Sequence, residues 1–375
     1  MQQFMVRVFL PLIIFIVFFA SFSQGASAQE VGFKASEGVV TKIIDSGKKS
    51  FLDELVEFQE LEIKITRGEN RDELVEVENL AAGLGVVGAK YQLYQLGDRV
   101  KIATQQNIDG EITYSLDGMV KRNGLLVLGL LFIVVVLLVG GIWGALSLLG
   151  LITSFLVIFK LIIPLIIQGF NPVLAAILGS TIIIPTTFYI SHGFNKKTHI
   201  GVVATFIGLI ITGLLAVHFA DATHLTGFAS EEAGFLQVER QGSIDIRGLL
   251  LAGIIIGTLG ILDDVTVGQS SVVKQLKKAK PEIGFWDLFK DGMKVGQDHI
   301  SSMVNTLVLV YSGSSLPMLL LFFDSQKTFL DILEFELIAE EIVRMLVGSI
   351  GLVLAAPLAT IIAAYVFSKK EKNND

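Results

Sequence analysis

Residues 124–168 read GLLVLGLLFIVVVLLVGGIWGALSLLGLITSFLVIFKLIIPLIIQ, with Lys160 as the single charge. A helix crosses the roughly 30 Å hydrocarbon layer of a bilayer in about 20 residues. The stretch is too long for one crossing and too apolar for water. Its main interruption is Gly140-Gly141-Ile142-Trp143-Gly144, where glycines free the backbone to turn, leaving apolar runs at 124–140 and 145–168. Five more follow at 172–190, 200–219, 247–263, 302–323 and 342–367. The sequence predicts an α-helical polytopic membrane bundle over 123–367, of seven helices, or eight where an uncleaved N-terminal helix is added.

Composition agrees. The 375 residues are 52% hydrophobic and only 17% charged, more apolar than soluble domains of this length. The lipid bilayer is the first partner implied. A formal charge of −7 offers nucleic acid no attraction, and no nucleic-acid partner is expected. The absence of cysteine excludes disulfides, thiolate nucleophiles and thiolate metal ligands. Near the start, Arg7 precedes an apolar core that ends in Ala26-Ser27-Ala28-Gln29. That order describes a signal peptide over 1–28, or a first anchor if it stays attached.

Residues 29–122 are of another kind. Leu61-Glu62-Ile63-Lys64-Ile65-Thr66 alternates apolar and polar, the period of a half-buried strand. Glu73–Glu78, Arg99–Ile102 and Ile112–Leu116 do the same, and Gly97-Asp98 and Asp109-Gly110 mark turns. Five or so short strands fit a small all-β domain of OB or barrel-sandwich type. Its acidic excess and scattered aromatics argue for a structural or protein-contacting module.

Loop charge orients the chain. The segment near Asn195-Lys196-Lys197, the six lysines between Val265 and Ile300, and the tail over 368–375 are basic. The loops at 220–246 and 324–341 carry Glu231, Glu232, Glu239, Asp331, Glu334, Glu336, Glu340 and Glu341. Lysine-rich loops stay in the cytoplasm, which puts 29–122 outside the cytoplasmic membrane and the C-terminus inside. Seven crossings join those ends consistently.

In this frame the run at 247–263 ends on Gly260-Ile261-Leu262-Asp263-Asp264-Val265-Thr266 at the cytoplasmic side. Gly253, Gly257 and Gly260 form a small-residue face suited to close helix packing. Asp264 falls on that face, and Asp263 about a third of a turn away. The pair reads either as hydrated interface carboxylates or as a protonatable, cation-binding pair. Asp298, Ser302, Asn305 and Ser312 recur at helical spacing, with His299 beside them, so one stripe of the next crossing is polar and is expected to face the bundle. Asp298 also suits a helix N-cap. Interhelical hydrogen bonding explains the stripe as readily as an ion path does.

Glu340 and Arg344 are four apart in the order that favours a helix-end ion pair, with snorkelling of Arg344 as the alternative. Lys160 faces the same choice, and Pro164, Pro185, Pro317 and Pro357 interrupt helices. His218, Asp221 and His224 resemble metal ligands in composition but lack a fourth member. No P-loop, HExxH or GxSxG is present. Catalysis has no recognisable centre, and neither an enzyme activity nor a cofactor is expected.

Leu259–Thr266, Gly292–Ile300, Val304–Leu309, Gly313–Pro317, Glu341–Arg344 and Gly348–Leu352 together resemble the YibE/F family of bacterial membrane proteins, over about 125–367. The exported domain resembles the longer, YibE-like type in general character only. The resemblance implies a multi-pass membrane domain associated with transport, and supplies no mechanism. Two functions are carried forward. One is a permease-like or ion-coupled transporter of a small ion or solute, lined by Asp263, Asp264, Asp298, His299, Ser302 and Asn305. The other is a non-transporting scaffold or accessory subunit whose exported domain engages a membrane or envelope protein.

Overall fold

The computed structural model describes residues 34–51, 54–68, 70–80, 93–106, 112–323 and 328–369. The signal segment, the turn at Asp109-Gly110 and the tail beyond Lys369 lie outside them. The chain forms two compact units, divided between Val136 and Leu137.

Among the described residues, the first unit holds five strands: β1 (Lys34–Phe51), β2 (Glu54–Arg67), β3 (Leu74–Leu80), β4 (Arg99–Gln106) and β5 (Ile112–Met119). They form one sheet in the order β3-β2-β1-β4-β5, with every neighbouring pair antiparallel. The two edge strands, β3 and β5, approach each other. The alternation in 61–66 does what its period requires. Leu61, Ile63 and Ile65 are buried together with Val75, Val77, Val100 and Ile102, while Lys64 and Thr66 stay outside. β1, the central strand, pairs through one edge with β2 and through the other with β4, and register shifts at Glu37/Gly38, Val40/Lys42 and Ile43/Asp45 bend it. Gly38 is required at the first bend, where a Cβ would collide with Ile63. Gln59, buried, accepts from the Tyr94 backbone N–H at 2.8 Å and donates to the Tyr94 carbonyl at 3.1 Å. That pair pins the segment before β4. The Arg122 guanidinium grips both Glu37 oxygens, at 3.0 and 3.2 Å, tying the start of the first helix to β1.

The helices are α1 (Arg122–Val157), α2 (Ile163–Ile167), α3 (Pro172–His192), α4 (Lys196–Ala222), α5 (Glu231–Glu239), α6 (Ile246–Ala279), α7 (Phe285–Ser314), α8 (Leu316–Phe323), α9 (Phe329–Leu333) and α10 (Glu336–Ser368). Among the described residues, five helical stretches are long and apolar enough to cross a membrane, and α7 with α8, bent by 70°, makes a sixth if counted as one span. The first, Arg122–Ile167, is 46 residues long; fully helical, it would reach about 70 Å. Gly141 breaks it with φ 55° and ψ −132°, within the predicted glycine interruption. A π-helical turn, Ile158–Ile162, holds Lys160 and leads into Pro164 of α2.

In the helical unit α4, α6 and α10 pack against one another, with α3 and α7 on their flanks. Small residues allow the close approach. Gly208 of α4 meets Leu262 and Ala355, and Gly351 of α10 leaves room for Thr212. Thr205 and Thr266 hydrogen-bond across α4 and α6 at 2.7 Å, fully buried.

The run at 247–263 does not end its helix. α6 continues to Ala279 because Val265, Val267 and Val273 keep an apolar face on the bundle. It stops at Lys280-Pro281, with Lys277 and Lys278 in its last turn. Asp263 and Asp264 therefore sit in mid-helix and not at its end.

Candidate functional site

The twin aspartates occupy successive positions in the middle of α6. Asp263 is half-buried, and its backbone carbonyl accepts from the Thr266 hydroxyl at 3.3 Å. Asp264 is exposed, on the same edge of the helix as Gly253, Gly257, Gly260 and Gly268. A Cβ at any of those four glycines would meet nothing within 4 Å. The first three were expected to receive a packed helix. That expectation fails because α3, α4, α7 and α10 pack on the other sides of α6, along Leu259, Leu262, Val265 and Gln269. The result is an uncovered edge without side chains except at the acid. Gly268, four residues past Asp264, extends it; that spacing was there to be read. His192, at the end of α3, is close enough to Asp264 to feel its charge.

Glycines of α7, like Gly208 of α4 and Gly351 of α10, do accept a neighbouring helix. Gly292 lies against Thr360 and Val273, both 3.0 Å from its ideal Cβ, and Gly296 against the Gln269 side chain. Gln269, buried, donates to the Gly292 carbonyl at 2.9 Å. With Ile300, Met303, Val304 and Leu307 also packed inward, the bundle side of α7 is filled. Asp298, His299, Ser302 and Asn305 are consequently exposed. The polar stripe faces away from the helices of its own unit, opposite to expectation. Asp298 does not cap either, since α7 begins at Phe285 behind Gly284. Among the described residues, no group of three or more His, Asp or Glu side chains is arranged to hold a metal ion. In the His218–His224 set, Asp221 pairs with Arg247.

At the other end of the unit, Arg344 finds a different partner from the predicted one. Its Nη1 lies 3.1 Å from Glu341, three residues earlier. Glu340 is buried with Oε1 unpartnered. Glu336, whose partners lie about 110 residues away in sequence and leave no local signal, accepts from the Thr226 backbone N–H at 2.6 Å, the Thr226 hydroxyl at 2.5 Å and the Gly227 N–H at 3.2 Å. It fastens the start of α10 to the loop after α4.

Residues 128–369 match a family described as YibE/F-like protein. No curated protein matches the chain, and no solved structure does.

Proposed function

Since the chain belongs to the YibE/F-like family, we propose that it is a permease-like or ion-coupled transport protein of the bacterial cytoplasmic membrane. The observation that carries this reading is the edge of α6. A carboxylate within an apolar span is costly against lipid and marks an ion or solute pathway by default. Asp264 stands on an edge that the described helices leave uncovered, between glycines that leave room beside it. Asp263 and Asp264 are the groups that exchange a proton or hold a cation. Asp298, His299, Ser302 and Asn305 supply further polar surface on the following helix. No catalytic role and no cofactor belong to this reading.

Lysine-rich loops set the orientation, with the β unit outside and the C-terminus inside. Dividing the first span at Gly141 and counting α7 with α8 as one gives seven crossings, consistent with both ends. For the β unit, β1 pairing with both β2 and β4, and the approach of β3 to β5, support an OB-like, partly open barrel.

The test is flux of monovalent cations and protons through proteoliposomes holding the native chain, Asp264→Asn or Asp298→Asn. Loss of flux in Asp264→Asn supports the reading, and equal flux in all three removes both aspartates from it.

The outward polar stripe of α7 favours a second reading, an accessory subunit whose partner covers that stripe. A stoichiometric partner cross-linked both at Asn305 and on residues 29–122, in a protein without intrinsic flux, would carry it.

A further inference from the structure

Three helices end around one cleft of about 430 Å³, a volume within the roughly 300–1,000 Å³ of small-ligand sites. Lys196 begins α4, Lys277 lies in the last turn of α6, and Lys369 follows α10. All three line the cleft, where the one carboxylate among the described lining residues is Glu282. The first turn of α4 adds the positive end of its dipole. Two of the lysines are fixed in place. Lys277 Nζ donates to the Ile283 carbonyl at 3.0 Å, and Lys369 Nζ lies 4.2 Å over the Tyr365 ring.

The remainder of the lining is apolar, with Ile283, Val366 and Phe367. The apolar run of α4 starts just beyond Lys196, and that of α10 stops at Phe367. The cleft therefore sits where hydrocarbon gives way to water. Large aromatics cluster at this end of the unit. Phe194 is 80% exposed, Trp286 64% and Tyr365 55%, as at the aromatic belt of a membrane interface. A cleft that is basic at its mouth and apolar along its wall, at that depth, matches an anionic phospholipid with its phosphodiester among the lysines. A free phosphate ester has no use for the apolar wall.

We propose that Lys196, Lys277 and Lys369 form a headgroup site for an anionic phospholipid, which binds across the ends of α4, α6 and α10 and ties them together.

The test is native mass spectrometry of the full chain in detergent, titrated with phosphatidylglycerol or phosphatidylcholine. The native chain is expected to bind phosphatidylglycerol at least tenfold more tightly than phosphatidylcholine. Lys196→Gln/Lys277→Gln/Lys369→Gln is expected to lose that preference, and the corresponding triple Arg variant to keep it. Lys196→Gln/Lys369→Gln, which spares the Lys277–Ile283 bond, is expected to lose most of it in a chain that still elutes as the native one does. Lys274→Gln/Lys278→Gln/Lys290→Gln controls for diffuse basic charge. An equal loss in that control would overturn the proposal, as would equal binding of the two lipids. So would displacement of phosphatidylglycerol by millimolar inorganic phosphate, which would make the cleft a free-anion site.

Discussion

Gln269 of α6 donates its side-chain amide to the Gly292 carbonyl of α7 at 2.9 Å, while the same side chain lies against Gly296 one turn on. The absence of side chains at 292 and 296 is what allows this bond between helix backbone and buried amide. A methyl group at 296 would meet the amide itself. Gly296→Ala is therefore expected to displace Gln269 and destabilise the packing of α7 by about 1–3 kcal/mol. Unfolding in graded detergent mixtures would measure the loss. Gln269→Ala/Gly296→Ala should cost less than the sum of the single changes, because the colliding side chain has gone.

Gly257 behaves oppositely. With nothing within 4 Å of its ideal Cβ, Gly257→Ala should leave stability unchanged or raise it by up to about 1 kcal/mol through helix propensity. Gly268→Leu, also with nothing within 4 Å of its ideal Cβ, should fold as well and yet reduce flux, since its side chain leans back over the turn that holds Asp264. A cost in stability equal to that of Gly296→Ala would show that α6 is packed along this edge.

Glu341 and Glu340 should separate in the same assay. Glu341→Gln removes the partner of Arg344 and is expected to cost about 1–3 kcal/mol. Glu340→Gln replaces a buried carboxylate whose Oε1 has no partner, and its stability should match or exceed that of the native chain.

In the β unit, the Lys64 ammonium, 3.0 Å from Asp72, holds that carboxyl below the usual carboxylate range. A depressed folded value adds stability above the unfolded carboxylate range, and the addition is lost as pH falls through the folded value. The pair is exposed, so the effect is small and weakens with salt. Hydrogen exchange of β2 in the full-length chain should be faster in Asp72→Asn at neutral pH. The two chains should converge on acidification.

Much of this architecture is legible in the sequence because its signals are local. Long apolar runs announce crossings, and the alternation in 61–66 announces a strand whose inward side chains are Leu61, Ile63 and Ile65. What depends on a neighbouring element is not legible. Gly253-x₃-Gly257 and Gly292-x₃-Gly296 have the same spacing, yet only the second receives a helix. The sequence does not say which edge its neighbours will claim. The continuation of α6 past Asp264 was hidden for a related reason. The carboxylates interrupt the hydropathy, whereas Val265, Val267 and Val273 sustain the helical face. Arg344 could reach Glu340 or Glu341 equally well by spacing, and only the folded arrangement, with Glu340 buried and Glu341 3.1 Å away, separates them.

A transport path along α6 requires its exposed edge to be wetted when the protein is in a membrane. The chain has no native cysteine, so each introduced thiol reports alone. Gly257→Cys, Gly260→Cys and Ser302→Cys, in membrane vesicles, would be treated with a charged methanethiosulfonate and separately with a lipid-soluble maleimide. The charged reagent is expected to label positions 257 and 260, and a high cation concentration to slow it. Labelling of both positions by the maleimide alone would put the edge against lipid and rule out a wetted path along α6.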